Sequence, residues 1–362
     1  MALQFIFGSS GSGKSHSLYQ KTVEEAAANP EKTYIVLVPE QFSMQTQKDL
    51  VEASPNHAIM NIDVLSFGRL AYRVMEETGG NDRIVLDDEG KNLILRKIAG
   101  DYEDDLTVLR GNLKRQGYIS EVKSVISEFT QYDIGEEELD RMMEQAGEGT
   151  SLYYKLSDLK KVYEGFYAYL EEKYITREEI LDLLCERVPQ SAILRDSIIA
   201  LDGFTGFTPV QNRLLEQLLK VCQEVRVTVT IPKNENPYLY QGPYQLFSLS
   251  KEMTTKLLAI CREKKITVND PVWMEGAVPY RFRENAPMAF LERHLFRYGK
   301  ARYEEEQDRI RICHAATPGQ EVEAAARKIR FLVRTKGWRY RDFAVIVPDL
   351  SAYSDDIRTI FS

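Results

Sequence analysis

The stretch GSSGSGKS (residues 8–15) decides the fold that the sequence predicts, because it lies between a strand pattern and a helix pattern. The apolar run LQFIF (residues 3–7) precedes it, and a helical periodicity over residues 14–28 follows it. Glycines let successive backbone N–H groups point inward, and a helix start adds positive potential, so the arrangement suits a phosphate. A chance Gly/Ser-rich linker is the weaker interpretation in this context. The predicted phosphate contacts are Gly8, Ser9, Ser10, Gly11, Ser12, Gly13, Lys14 and Ser15.

The end of this stretch predicts a nucleotide with its metal ion. Lys14 would reach the β- and γ-phosphates, and the Ser15 hydroxyl would hold Mg²⁺. A second Mg²⁺ ligand is expected at the end of a neighbouring strand, and Asp202 in IIALDG (residues 198–203) has that position. The alternative for Asp202 is a turn-initiating residue before Gly203.

Hydrolysis also needs a group that positions or deprotonates water, and the usual one is a Glu directly after this Asp. Gly203 occupies that position, and residues 204–207 contain no acidic side chain. We therefore expect a loop that binds a nucleotide with weak or no turnover, and no catalytic residue is assigned.

Composition excludes several classes. The 362 residues are 43% hydrophobic and 28% charged, as in ordinary soluble proteins of two or three domains. No apolar run reaches the ~18 residues of a membrane span. The start MALQFIF has neither the basic region nor the long apolar core of a secretory signal, so a cytoplasmic protein is expected. A net charge of −8 argues against coating nucleic acid by bulk positive charge, although a local basic groove stays open.

Cysteine and histidine do not predict a metal site. Cys185, Cys222, Cys261 and Cys313 form no Cys-x-x-Cys pair and are predicted to be buried reduced thiols. The four histidines are scattered without metal-ligand spacing.

Periodicity divides the chain into α/β and helical parts. Apolar runs at residues 33–39, 58–64, 197–204 and 225–232 alternate with helical patterns, which predicts a parallel sheet. The first α/β domain is assigned to residues 1–86 and 190–300, with an all-helical insertion at 87–189. Residues 306–362 are expected to start a second α/β domain that the chain does not complete, with strands at 308–315 and 342–348 and a helix at 318–336.

These motifs resemble the UvrD/Rep superfamily of DNA helicases, and within it the amino-terminal part of the AddB family of bacterial helicase–nuclease subunits. The helicase acidic motif falls on Asp202, and a Gln nine positions later, a nucleotide-sensing position, falls on Gln211 in LDGFTGFTPVQNRLLEQLL (residues 201–219). The Thr-Phe-His motif of the single-strand path aligns with Ser66-Phe67, and VPEQFSMQTQ (residues 38–47) has the AddB-like form. Residues 317–349 resemble the start of the second motor domain.

The resemblance implies a fold and a role. It implies a P-loop (RecA-like) parallel sheet with a helical insertion and the start of a second RecA-like domain. It implies ATP and Mg²⁺ as cofactors, an AddA-like partner subunit, single- and double-stranded DNA, and DNA double-strand-break repair by homologous recombination. Candidate DNA contacts are Gln41, Ser66, Phe67 and Arg69, where Phe67 would stack on a base or else lie in the core. The resemblance also implies a part in recognising a recombination hotspot, but no residue pattern in this sequence indicates it.

The departures limit what carries over. Only seven residues precede Gly8, so the adenine-reading motif of active helicases has no place, and IPKNENPYLY (residues 231–240) lacks the expected Gly-Asp-x-x-Gln. The nuclease domain and the 4Fe-4S cluster of full-length members match no residue of this chain. Two other interpretations are a P-loop kinase for a small metabolite and an interaction scaffold with a vestigial loop. The long helical insertion argues against the compact kinase.

Overall fold

The central sheet is built from the apolar runs that the sequence identifies as strands. The computed structural model describes residues 1–79, 83–113, 115–171, 173–274, 276 and 278–361. The chain divides into two units, Met1–Glu284 and Asn285–Ser362. The first unit begins with β1 (Ala2–Gly8), α1 (Lys14–Ala28), β2 (Thr33–Leu37), α2 (Ser43–Ala53), β3 (Ile62–Leu65) and α3 (Phe67–Thr78).

A largely helical stretch follows, and the chain then returns to the sheet. The helical stretch contains β4 (Ile84–Val85), α4 (Asp88–Asp101), α5 (Gln116–Gln131), α6 (Glu136–Ala146), α7 (Ser151–Leu170), β5 (Tyr174–Ile175), α8 (Ile180–Arg187) and α9 (Ala192–Arg195). The return consists of β6 (Ser197–Leu201), α10 (Pro209–Val221), β7 (Glu224–Thr230), α11 (Ser248–Lys264), β8 (Thr267–Val268) and β9 (Val272–Trp273).

The sheet of the first unit has the strand order β3-β2-β6-β7-β1-β8, with β9 also paired to β1. All of these pairs are parallel. In the register of β1 and β7, Ala2 lies opposite Glu224 and Gly8 opposite Thr230. An α/β fold with a mostly parallel central sheet is therefore confirmed. Because parallel strands end at one edge, the loops after β1, β2, β3, β6 and β7 share that edge.

Helices cover both faces of the sheet, which is why its strands are apolar without alternation. Side chains of α1 and α2 pack on one face with Tyr34 and Val36. Side chains of α3, α8, α10 and α11 pack on the other face with Phe5 and Phe7. The predicted helix over residues 14–28 is confirmed, and Gly13 precedes it in the left-handed region.

The helical stretch has a core of its own. Apolar side chains of α4, α5 and α7 pack together around Leu95, Val162 and Phe166. The two-residue strands β4 and β5 pair in parallel beside them, so the prediction of an all-helical stretch over residues 87–189 is wrong at β5. Asp158, fully buried on α7, accepts hydrogen bonds from the backbone N–H groups of Thr107, Val108 and Leu109. These bonds offset the cost of burying the carboxylate.

The second unit contains α12 (Ala286–His294), α13 (Pro318–Lys336) and α14 (Ser354–Phe361). The predicted helix over 318–336 is confirmed and ends at Gly337 in the left-handed region. The predicted strands at 308–315 and 342–348 are wrong, because neither segment has a strand partner in the described residues. Apolar sequence alone does not make a strand, since a strand needs a neighbour for its backbone hydrogen bonds. Ile312 and Ile346 are consequently almost fully exposed.

Two further expectations concern cysteines and membranes. Cys222 and Cys261 are buried thiols as predicted and Cys185 is half-buried, but Cys313 is exposed, so its predicted burial is wrong. It lies in one of the segments that fail to form a strand. Among the described residues, no helix is both long and apolar enough to cross a membrane.

Candidate functional site

The loop between β1 and α1, called here the glycine loop (residues 8–13), needs its glycines for two reasons. Gly11 and Gly13 have φ of +73° and +96°, in the region that favours glycine. A Cβ on Gly8 would lie 2.4 Å from Ser12 Oγ, and one on Gly11 would lie 2.9 Å from the Cβ of Arg281. The loop is therefore tightly closed against its surroundings.

Polar groups at this loop fit a phosphate. Lys14 Nζ donates hydrogen bonds to the carbonyl oxygens of Gly8 at 3.0 Å and Ser9 at 2.9 Å. The hydroxyl oxygen of Ser12 is buried and has no hydrogen-bond partner among the residues that the structure describes. Helix α1 begins at Lys14, and the preceding Gly13 offers no side-chain cap, so the first N–H groups of the helix are available to an anion. A cation, a donor hydroxyl and an uncapped helix start thus meet in one loop.

A short 3₁₀ turn, Tyr280–Phe282, packs on the glycine loop, and no sequence pattern had singled it out. The backbone N–H of Arg281 donates to the carbonyl oxygen of Gly11 at 3.0 Å. The ring of Tyr280 is stacked on His16 with 6.4 Å between centroids, and the Arg283 guanidinium lies 4.8 Å from the centre of the Tyr280 ring. The signal available in the sequence was the basic and aromatic run YRFR (residues 280–283).

Asp202, the predicted Mg²⁺ ligand, lies directly after β6 and is 6% exposed. Its two carboxylate oxygens accept hydrogen bonds from the hydroxyls of Tyr19 and Thr228, each at 2.6 Å. Burial raises the pKa of the Tyr19 hydroxyl far above its usual range, and the charge of Asp202 raises this pKa further. Tyr19 is therefore a neutral donor to the carboxylate at any physiological pH.

The donor set fits Mg²⁺ less well than it fits a phosphate. Both Asp202 oxygens already accept short hydroxyl hydrogen bonds. Ser15 is exposed at the start of α1. Within the described parts of the chain, no group of three or more His, Cys, Asp or Glu side chains could hold a metal ion. Because Mg²⁺ beside a nucleotide is usually held by one or two carboxylates, phosphates and waters, the occupied oxygens of Asp202 are the observation that counts against it.

Gly203, at the position expected for a catalytic Glu, has φ of +79°. A Cβ there would lie 3.6 Å from Pro39 Cδ and 3.8 Å from Phe42 Cδ2, which is ordinary contact. The obstacle to a side chain at this position is therefore the backbone conformation and not the space.

A cavity of about 630 Å³ lies at the carboxyl edge of the sheet, between the ends of β2, β3 and β6. Its lining brings together several residues assigned from the sequence, which are Gln41, Ser66, Phe67, Gly203 and Gln211. Phe42, 48% exposed, also lines it and was not among the assigned residues. Arg69, the remaining predicted DNA contact, does not line the cavity. Its Nε lies 3.6 Å from a carboxylate oxygen of Glu40.

Several assigned side chains of this cavity already have structural partners. Ser66 donates to the Glu40 carboxylate and accepts from the backbone N–H of Arg69, which caps α3. Phe67 is 7% exposed, and its ring packs 5.3 Å from that of Phe204. Gln211 Oε1 accepts a hydrogen bond of 3.0 Å from the backbone N–H of Thr208, the cap residue of α10. Gln41 is exposed.

Comparison with known proteins decides the family. The family model described as "ADDB, N-terminal" matches residues 5–292, which is most of the chain. This chain belongs to the AddB family.

Curated AddB relatives match along the full chain. A protein of Lachnoclostridium phytofermentans is 43% identical over 99% of this chain, and one of Thermoanaerobacter sp. is 36% identical over all of it. A protein of Clostridium perfringens is 32% identical over the same extent. Each is named as a subunit of an ATP-dependent helicase/deoxyribonuclease. The chain spans 31% of the length of each of these relatives.

Proposed function

We propose that this chain binds ATP through the glycine loop and contacts single-stranded DNA, without appreciable ATP hydrolysis of its own. It would do so as part of an ATP-dependent helicase–deoxyribonuclease, as the names of its relatives support. Repair of DNA breaks is the role that the family resemblance implies. The observation that carries the proposal is the closed glycine loop with Lys14 directed into it.

Phosphate binding rests on the loop residues themselves. Gly8, Gly11 and Gly13 shape the loop, Lys14 supplies the cation, and the start of α1 supplies N–H donors. Ser9, Ser10, Ser12 and Ser15 complete the proposed contact set. Charge-assisted hydrogen bonds to phosphate are stronger than those to neutral carbonyls, so Lys14 would exchange its carbonyl partners for phosphate oxygens.

The Tyr280–Phe282 turn supports a nucleotide in place of free phosphate. It places the backbone and Cβ of Arg281 against Gly11, and the ring of Tyr280 with the Arg283 guanidinium beside it near the start of α1. An aromatic face beside a phosphate site suits a purine base, and the arginines suit phosphate oxygens.

Weak hydrolysis follows from Gly203. No acidic side chain stands at residues 203–207, and the left-handed backbone at Gly203 disfavours one. ATP turnover in the complex would then come from an AddA-like partner subunit. We also propose that the complex is cytoplasmic.

Single-stranded DNA is assigned to the cavity at the carboxyl edge. Gln41 and Phe42 are exposed at its rim, and Ser66 lies within it. Phe42 offers a stacking face, while the buried Phe67 supports the wall. Arg69 is an exposed cation beside the cavity, and its surface ion pair with Glu40 is weak enough to be exchanged for a phosphate. Double-stranded DNA would be contacted by the complex as a whole.

The domain assignment is part of the same proposal. Residues 1–86 and 190–300 would form a RecA-like domain, residues 87–189 its helical insertion, and residues 306–362 the start of a second such domain. We do not propose a 4Fe-4S cluster in this chain, because its described cysteines lie far apart in the sequence.

Two measurements test the proposal, which are the affinity for ATP and the rate of ATP hydrolysis. Isothermal titration should detect ATP binding to the chain, and phosphate release with or without oligonucleotide should stay near background. An absence of ATP binding would reject the proposal. A DNA-stimulated turnover of ~10 s⁻¹, ordinary for an enzyme, would show that Gly203 has been misinterpreted. Transfer of phosphate to a small metabolite would instead favour the kinase.

A further inference from the structure

Asp202 lies where four elements of the first unit meet. It follows β6, its backbone N–H donates to the carbonyl oxygen of Leu37 at the end of β2, and its side chain joins α1 to β7. Tyr19, in the second turn of α1, donates to one carboxylate oxygen, and Thr228 on β7 donates to the other. One aspartate therefore connects four elements around the glycine loop.

Burial makes this arrangement specific. Tyr19, Asp202 and Thr228 are all less than a tenth exposed. The Tyr19 hydroxyl also lies 3.3 Å from the Thr46 hydroxyl on α2, which is buried as well. A buried carboxylate needs hydrogen-bond donors, and here both oxygens have them from side chains that start on different elements.

The same contacts conflict with a role as a metal ligand. A Mg²⁺ ion keeps several waters and demands near-octahedral geometry, so the carboxylate that serves it must face an open, hydrated side. Here the buried tyrosine ring and its hydroxyl stand against one oxygen, and a strand hydroxyl stands against the other. The site therefore favours a structural use of the charge.

We propose that Asp202 is a positioning residue, clamped by the hydroxyls of Tyr19 and Thr228, and that the glycine loop binds ATP independently of Mg²⁺. The clamp fixes the start of α1 relative to the ends of β6 and β7, and so holds the N–H groups that meet the phosphates. This inference rests on the proposed ATP binding. Burial and the charge of Asp202 raise the pKa of Tyr19, so its hydroxyl stays protonated and donates to Asp202 at physiological pH.

The first experiment measures the dissociation constant of ATP with Mg²⁺ and again with EDTA, using isothermal titration. We expect the two constants to agree within about threefold in the wild type and in the Asp202→Asn variant. A Mg²⁺ dependence of about tenfold or more in the wild type would overturn the inference. A loss of folding lowers the active fraction but does not alter this ratio within one variant.

The second experiment is a double-mutant cycle on urea unfolding, with Tyr19→Phe and Asp202→Asn. We expect clear non-additivity, because Tyr19→Phe removes the donor of the hydrogen bond and Asp202→Asn removes the charge and one of the two oxygens that accept it. Tyr34→Phe is the matched control, since Tyr34 is a buried tyrosine of the same core, and we expect it to add to Asp202→Asn. Additivity of the first pair would overturn the clamp. If the wild type bound no ATP in either buffer, the proposed function would fail, and the cycle alone would decide the clamp.

Discussion

The Nζ atom of Lys14 donates a hydrogen bond of 3.0 Å to the carbonyl oxygen of Gly8, the first residue of the glycine loop. The lysine side chain thus bends back over the loop from the first position of α1. A carbonyl is a weaker acceptor than a phosphate, so this geometry is suited to exchange of one for the other.

Substitution of Lys14 by Ala should therefore weaken ATP binding by at least about tenfold, because a charge-assisted hydrogen bond to phosphate is lost. Isothermal titration measures the loss. Lys21→Ala is the control, since Lys21 lies on the same helix and pairs with Glu25 at 3.8 Å, away from the loop. Equal affinity of the wild type and the Lys14 variant would contradict a role of the loop in binding.

Introducing the missing acid should not create an ATPase. Gly203→Glu forces a side chain onto a left-handed backbone, which should cost about 1–3 kcal/mol of stability. Urea unfolding and phosphate release measure the two effects. Gly206→Glu is the matched control, because a Cβ there meets no described atom within 4 Å and its φ is not in the left-handed region. Rapid turnover by the first variant, at unchanged stability, would disprove the strain argument.

Substitutions of the two phenylalanines beside the cavity should have different effects, one on DNA binding and the other on stability. Phe42→Ala removes an exposed ring and should weaken single-stranded DNA binding by about 1–3 kcal/mol, with little change in stability. Phe67→Ala removes a buried ring and should cost about 3–5 kcal/mol of stability.

Fluorescence anisotropy with an oligothymidylate and urea unfolding distinguish these outcomes. Binding should also fall steeply with salt if phosphates contribute. The assignment to the cavity would be wrong if Phe42→Ala bound DNA as tightly as the wild type.

Stability at acid pH should depend on Glu77. Desolvation raises the pKa of this carboxyl, but hydrogen bonds from Ser191, Ile193 and Ala192 at the start of α9 outweigh it, so the net pKa is lowered. A folded-state pKa below the unfolded one stabilises the protein above the unfolded value, and this stability is lost as pH falls through the folded one.

Glu77→Gln should remove that part of the acid dependence. Urea midpoints between neutral pH and about pH 3 should show a shallower decline for the variant, since an unfolded Glu titrates near pH 4.3. Glu76→Gln on the same helix is the control, because Glu76 is exposed and makes only a surface ion pair of 4.0 Å with Arg73 among its described contacts. Parallel declines for wild type and Glu77→Gln would refute this prediction.

Local pattern was enough to predict the parallel sheet and the glycine loop. The strand before Gly8, the helix after Gly13 and the parallel pairing all follow from apolar runs and punctuation by glycine and proline. Pattern failed where a partner was needed, as at residues 308–315 and 342–348. Whether an apolar run becomes a strand depends on a neighbour that the run itself does not encode.

The site was predictable as a set of positions and less so as a set of roles. Gln41, Ser66 and Gln211, which motif spacing singled out, line one cavity in the structure. Spacing did not reveal that Gln211 closes a helix cap or that Asp202 accepts from Tyr19, because those partners are fixed by three-dimensional packing. The Tyr280–Phe282 turn was missed since it lies far along the chain from the glycine loop.

The pairing of β1 with β7 has a consequence during synthesis. Ala2 and Glu224 are neighbours in the sheet although roughly 220 residues separate them along the chain, which makes this a slow contact to form. At ~5–20 residues per second, a ribosome would extrude β1 many seconds before β7 emerges. The strand that carries the glycine loop must therefore wait with unpaired backbone groups, and we expect it to be the part of the nascent chain that most needs a chaperone.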